Sequence, residues 1–189
     1  MIKLRKPTTN PDITIKLTKA ELLELTKLAK ERYNQNRAAN NPTITMRKIE
    51  EDKTDSDKYR HEVIGLCGEL AVLKYLGFSK ADHTFTYSQT EFNKIKRTIN
   101  DVGRVEVRST HYFNGSLIIK KPDLKYNPDV PFILCVVNLE TGTVFIKGWA
   151  FPIDAAYPEY IRHSYTTEYF YPAKKLNPIN DLPKDYFKK

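Results

Sequence analysis

Residues 101–121 read DVGRVEVRSTHYFNGSLIIKK, and the way this stretch pairs decides where the sheet runs. Val105, Glu106, Val107 and Arg108 alternate apolar with charged side chains, the period of a strand with one face on a core and the other toward a cleft. Glu106 and Arg108 therefore share a face. Asn114-Gly115 is a turn signal and Ser116-Leu117-Ile118-Ile119-Lys120 a second β-prone run, which together predict an antiparallel hairpin. With Thr110 opposite Ser116 across a five-residue loop, Glu106 faces Lys120 and Arg108 faces Ile118. Asp101 stands at the entry to the first strand, so two carboxylates and two cations collect on one hairpin.

Working outward, residues 131–137, PFILCVV, form a continuous apolar run of strand length, as expected for a central strand covered on both faces. Thr143-Val144-Phe145-Ile146-Lys147-Gly148-Trp149 returns after the Glu140-Thr141-Gly142 turn and extends the sheet by another hairpin. Upstream, the segment from Tyr59 to Leu76 has helical character and ends at Gly77, a left-handed stop. Gly65, Gly68 and Ala71 or Val72 recur three to four apart and give a small-residue face for close approach to a sheet. Two glycines inside a helix cost about 1 kcal/mol each relative to Ala, and close packing is the expected compensation. Glu69 sits beside that face. The fold class is therefore α/β (α+β): a central mixed sheet of about four to five strands with the Tyr59–Leu76 helix packed on it.

At the N-terminus, Ile13-Thr14-Ile15-Lys16-Leu17 reads as a short strand and Thr18-Lys19-Ala20-Glu21 as a capping box. The helix that follows, from about Lys19 to Asn36, has a core stripe of Leu22, Leu25, Leu28 and Ala29, with Lys27, Lys30, Glu31 and Arg32 outside. This helical arm is expected to serve as scaffold or DNA contact. Residues 37–57 read as a loop or linker with a short strand at 43–46, and its acids Glu50, Glu51, Asp52, Asp55 and Asp57 as a solvated charge run. Between 81 and 100, Lys94, Lys96 and Arg97 form a basic tip suited to a phosphate backbone. His83 and His111 lack a second ligand at zinc spacing. The C-terminal region from Phe151 interleaves tyrosines with prolines and lysines, as an irregular wrap over the core or a dimer contact would.

The chain of 189 residues is 40% hydrophobic and 29% charged, which suits one domain with one moderate core. It divides into a strand, helical arm and linker over 1–57, a core over 58–154 and an aromatic wrap over 155–189. No apolar run approaches the roughly 20 residues that span a membrane, and the first residues lack a signal-peptide centre. A cytoplasmic protein is expected. Cys67 and Cys135 lie in apolar contexts and read as buried, reduced thiols. The net charge of +8 favours an anionic partner, nucleic acid first.

Gly65-x-x-Gly68-Glu69-x-Ala71 on the first core helix, followed by Asp101 and then Glu106-Val107-Arg108, resembles the signature of the PD-(D/E)XK nuclease superfamily in its phage and prokaryotic members. The resemblance covers about residues 59–154. It implies a restriction-endonuclease-like core and Mg²⁺-dependent hydrolysis of DNA phosphodiester bonds, endonucleolytic by preference, in the host cytoplasm for a phage protein. Mn²⁺ is expected to substitute for Mg²⁺, and a homodimer would suit double-strand cleavage. The resemblance gives Glu69, Asp101 and Glu106 as the metal ligands. Arg108 stands where the superfamily carries lysine; a guanidinium stays protonated and binds phosphate but is no base. Either metal-bound water acts alone, or Lys120 supplies the missing ammonium. Lys94, Lys96, Arg97, Arg104 and Lys121 are the expected DNA contacts. The competing reading is a catalytically silent nucleic-acid-binding or interaction module on the same fold.

Overall fold

The structure, a computed structural model, describes residues 12–38, 59–78, 80, 101–163 and 167–187. The expected strand at 43–46, the acidic run at 50–57, His83 and the basic tip with Lys94, Lys96 and Arg97 lie outside the described residues. Among those residues no helix is long and apolar enough to cross a membrane.

The long apolar run becomes β4 (Phe132–Asn138), and its alternate side chains enter two different cores. Ile133, Cys135 and Val137 point toward the helices, and Phe132 and Leu134 point the other way. On one side β4 pairs antiparallel with β5 (Thr143–Ala150), and β5 pairs antiparallel with β1 (Ile13–Lys16). On the other side β4 pairs parallel with β2 (Glu106–Thr110), so the main sheet has the order β1-β5-β4-β2 and is mixed. The sheet is mixed and within the expected four to five strands, but it contains β1 in place of the Ser116–Lys120 strand.

The helical face of the sheet is covered by α2 (Arg60–Leu76), which ends at Gly77 in the left-handed region with φ 72°. Gly68 is what lets α2 approach. A Cβ at this position would overlap Ser109 Oγ on β2 and lie 3.2 Å from the Cys135 Cβ on β4. Gly65 has no such role, because nothing lies within 4 Å of where its Cβ would stand. Helix α1 (Lys19–Ala38) packs on α2, with Leu25 and Ala29 fully buried. Its capping box forms as read: the Thr18 N–H donates to Glu21 Oε2 at 2.7 Å and the Glu21 N–H to Thr18 Oγ1 at 3.2 Å. Since β1 belongs to the main sheet and α1 to its core, residues 12–38 are packed into the fold.

The expected hairpin does not form. Strand β3 (Ser116–Lys120) leaves β2 and pairs with β7 (Thr167–Pro172), which pairs with β6 (Ile161–His163), in a second, antiparallel sheet of order β3-β7-β6. The reason is burial. Leu117 and Ile119 are fully buried in the cluster that contains Phe132 and Leu134, so β3 and its partners cover the face of β4 that the helices leave open. A β3 placed beside β2 at the sheet edge would leave that apolar face in water. Part of the C-terminal region is thus a sheet layer rather than an irregular wrap. The chain after it returns to the main sheet, where Trp149 and Asn177 exchange backbone hydrogen bonds at 3.0 and 2.8 Å and the indole N–H donates to Pro178 O at 3.0 Å.

The two helical glycines should therefore respond to alanine with opposite signs. Gly65→Ala is expected to stabilise the protein by roughly 0.5–1 kcal/mol, the ordinary helix-propensity gain. Gly68→Ala is expected to destabilise it by roughly 1–2 kcal/mol through overpacking against Ser109 and Cys135. Urea unfolding of both variants checks the pair, and equal shifts would contradict the close approach at Gly68.

Candidate functional site

Among the described residues β2 is the outermost strand of the main sheet, and alternate backbone groups along its outer side have no strand partner there. The inner side is satisfied by β4, starting with the Glu106 N–H donating to Pro131 O at 2.9 Å. On the outer side the Val107 N–H donates to Asp101 Oδ2 at 2.9 Å. The turn before the strand makes this possible: Val102 and Val105 exchange backbone hydrogen bonds around Gly103, whose φ is 56°, and both valines are buried. Asp101 is thereby fixed at the open edge of the sheet.

The period of two places Glu106 and Arg108 on the face away from α2, as their register partners Phe132 and Leu134 require. Arg108 Nη1 donates to Glu106 Oε2 at 3.3 Å, and Nη2 donates to Asp123 Oδ1 at 3.3 Å. Its guanidinium also lies over the Phe132 ring, 4.8 Å from the centroid. Asp123 comes from α3 (Lys121–Tyr126), where it caps the helix start by accepting the Lys120 N–H at 2.8 Å. On the helical side of the edge, Glu69 of α2 is 4% exposed and takes a forked pair from Arg32 of α1, at 2.8 Å to Oε1 and 3.2 Å to Oε2. Asp101 stands between the two sides and feels the charges of both Glu69 and Glu106, and of both Arg108 and Arg32.

These surroundings raise the carboxyls of both Glu106 and Asp101. Burial pushes the Glu106 carboxyl up to about 8, and the adjacent Asp101 charge adds to the shift. Asp101 is raised for the same first reason, then by Glu69, against the opposing pull of the Val107 N–H, Arg108 and Arg32. Cys67, pushed up to about 12 by burial, and the fully buried Cys135 are inert free thiols, as read.

Of the residues expected at the site, Asp101, Glu106 and Arg108 lie together at the start of β2, whereas Glu69 lies on the helical side, where its charge reaches Asp101. Lys120 does not join them in the manner expected. It ends β3 in the second sheet, opposite Glu168 and exposed, so the register that set it across from Glu106 does not exist. Arg104 is exposed, with its guanidinium 5.6 Å from the Tyr186 ring centroid, and Lys121 is exposed at the start of α3. Two site residues escaped the sequence reading. Arg32 follows Ala29 by three and Leu25 by seven, so it continues the core stripe rather than lying outside it. Asp123 follows Pro122, a helix-start signal directly after a strand.

The donor set consists of carboxylate oxygens, the hard ligands that Mg²⁺ and Mn²⁺ take, and Mg²⁺ typically uses one or two carboxylates plus water and substrate phosphate. Asp101 and Glu106 fit that demand as a pair. Both oxygens of Glu69 are held by Arg32, and among the described residues no group of three or more His, Cys, Asp or Glu is gathered as a ready-made metal cage.

The raised Glu106 carboxyl fixes the sign of a pH effect. Its folded pKa lies above its ordinary value, so between pH 4.5 and about 8 the folded state holds the extra proton. Stability of the cation-free protein is expected to fall as pH rises through that window. Glu106→Gln should flatten the fall, which thermal melts across pH would measure. A search of protein-family models, of curated proteins and of solved structures returns no match to this chain, so its site is read from its own geometry.

Proposed function

We propose that this protein is a Mg²⁺-dependent nuclease that hydrolyses DNA phosphodiester bonds, endonucleolytic by preference, on a restriction-endonuclease-like core. The observation that carries this reading is the pair of mutually repelling carboxyls, Asp101 and Glu106, set at the open edge of β2 with a guanidinium on the same strand. Two buried acids side by side oppose folding unless something neutralises them, and a divalent cation does so in the way that makes phosphodiester chemistry available. The net charge of +8 supports a polyanionic substrate.

Asp101 and Glu106 are the residues that would hold the cation. What the bound cation supplies is Lewis-acid stabilisation of charge on the phosphate and acidification of water at neutral pH. Arg108 holds a phosphate oxygen and offsets the negative charge that grows during displacement, a role its permanent charge suits. The Phe132 ring beneath it and Asp123 beyond it set the orientation of the guanidinium. Lys120 is given no part.

One observation favours the second reading, a catalytically silent module that binds nucleic acid. Arg108 is bridged on both sides, by Glu106 and by Asp123, so much of its charge is answered within the protein. A silent module would bind DNA through salt-sensitive phosphate contacts and cut nothing.

Asp101→Asn and Glu106→Gln are each expected to lower Mg²⁺-dependent cleavage of plasmid by about 10³-fold or more with the fold retained, since the amides keep the shape and lose the ligand charge. Lys120→Ala should cleave within about twofold of the wild type. Unchanged cutting by either acid variant would remove the nuclease reading from these residues. Salt-sensitive gel shifts from a wild type that leaves DNA intact would select the silent module.

A further inference from the structure

We infer that the turn after β2, with the end of the main sheet on which it rests, binds single-stranded DNA by stacking unpaired bases on Tyr112 and Phe113; this goes beyond the nuclease reading, uses none of its acids and takes from it only the choice of DNA. The cluster beneath the β3-β7-β6 sheet contains Phe132, Leu134 and Ala150, which fill one end of the face that the helices leave open. Toward the other end, Phe145 and Lys147 of β5 share that face by period two, since Val144 and Ile146 enter the helical core. The register sets Thr14 of β1 beside Phe145 and Lys16 beside Thr143, and both β1 residues are exposed. Phe113 reaches onto this end of the sheet. Its ring meets Phe145 edge-on with 5.7 Å between centroids, and Lys147 Nζ lies 4.5 Å from its centroid. Phe113 is nonetheless 58% exposed, and Tyr112 beside it 67%.

The turn is fixed by its own hydrogen bonds. The Tyr112 N–H donates to Thr110 Oγ1 at 3.2 Å, and the Gly115 N–H donates to Tyr112 O at 2.9 Å. A Cβ at Gly115 would stand 2.6 Å from Thr110 Cγ2 and 2.9 Å from Tyr112 O, so the turn closes this tightly only around glycine. The His111 ring lies against that of Tyr112, 3.9 Å between centroids. Aromatic side chains held out in water on a pinned backbone offer contact area at a low ordering cost. Charge selects the partner. Lys16 Nζ donates to the Thr141 carbonyl and to Thr143 Oγ1 at 3.3 Å, and among the described residues it pairs with no carboxylate. Lys147 is shared between Asp12 and the Phe113 ring. Aromatic rings beside an ammonium that has only neutral partners match base and phosphate, the two repeating parts of a nucleic-acid strand. Bases within a duplex turn their faces to one another, so an unpaired strand is the form that can use such a platform.

The test is fluorescence anisotropy of a fluorescein-labelled oligothymidylate titrated with the full chain in EDTA over a range of salt. Two further probes of equal length accompany it: a DNA duplex, and a chain of abasic sites that keeps the phosphates and lacks the bases. The wild type is expected to bind the oligothymidylate about tenfold or more tightly than either. Tyr112→Ala should weaken that binding by about tenfold and leave the affinity for the abasic chain unchanged, whereas Tyr112→Phe, which keeps the ring, should bind as the wild type does. Lys16→Ala should lower the log–log salt slope by about 0.7, the signature of one lost phosphate contact on a single strand. Thermal melts of the three variants, all altered at exposed side chains, are expected to match the wild type and so assign the losses to the surface. Equal affinity of the wild type for the oligothymidylate and the abasic chain would overturn the stacking platform, as would undiminished binding by Tyr112→Ala. Tighter binding of the duplex would overturn the single-stranded preference, and tighter binding of an oligouridylate would overturn the choice of DNA. Since neither cation nor cleavage enters the measurement, a wild type that binds the oligothymidylate but leaves plasmid intact with Mg²⁺ supports the platform and defeats only the nuclease reading. One that cuts plasmid but does not distinguish bases from abasic sites overturns the platform and leaves the nuclease standing.

Discussion

The constraint on which the rest depends is that β4 is apolar on both faces. Phe132 and Leu134 need one cover, and Ile133, Cys135 and Val137 need another. Helices α1 and α2 supply the second and the β3-β7-β6 sheet supplies the first, so the main sheet is sandwiched between unlike layers. Recruiting β3 to the outer layer leaves β2 as the last strand of the main sheet among the described residues. An edge strand has backbone donors to satisfy, and here the Val107 N–H is satisfied by a carboxylate, Asp101, instead of another strand. The site is a consequence of the way the core is closed.

Among the described residues around that edge the charges do not balance. Glu69, Asp101, Glu106 and Asp123 are four carboxyl groups set against the guanidinium groups of Arg32 and Arg108. The outer members are answered: Glu69 by the fork from Arg32 and Asp123 by Arg108 and the Lys120 N–H. The deficit falls on Asp101 and Glu106, the two whose carboxyls are raised. Such a pair can be neutralised by protons or by a divalent cation, and the two compete for the same oxygens. This charge deficit, together with oxygen-only donors, is the physical content of the functional proposal.

What was legible in the sequence was local. The capping box at Thr18 and Glu21, the left-handed stop at Gly77, the two-faced burial of β4 and the close-packing role of Gly68 each follow from a few neighbouring residues, and each stands in the structure. The shared face of Glu106 and Arg108 was legible from period two alone. Strand partners were not. Alternation identifies β2 and β3 as strands, yet the turn signal at Asn114-Gly115 is as compatible with a chain that changes layer as with a hairpin, and only the uncovered face of β4 decides between them. Arg32 was obscured because a charged residue at a stripe position is read as surface until the buried acid it meets, 37 residues away in sequence, is known. The same distance hid the fork on Glu69: helix geometry gives its face but says nothing of its partner.

That the cation on this strand is Arg108 and not a lysine has a consequence for any chemistry at this edge. An ammonium can surrender its proton when desolvated, but a guanidinium does not, and Arg108 is paired with Glu106 and Asp123. Whatever proton leaves an attacking water must therefore go to a carboxylate or to bulk solvent. Among the described residues Glu106 is the site carboxyl raised to about 8, close to neutrality, where proton acceptance and release are both accessible. A cation bound against the same oxygens would remove that basicity by favouring the ionised form, so Glu106 cannot at once coordinate and accept. With Arg108 unable to act as base and Glu106 committed as ligand, such a site would depend on the acidity of the cation's own water and on the fixed guanidinium of Arg108. It would work by position and charge more than by proton transfer through side chains, so Asp123 and the Phe132 ring, which orient Arg108, would matter as well as the acids that face the cation.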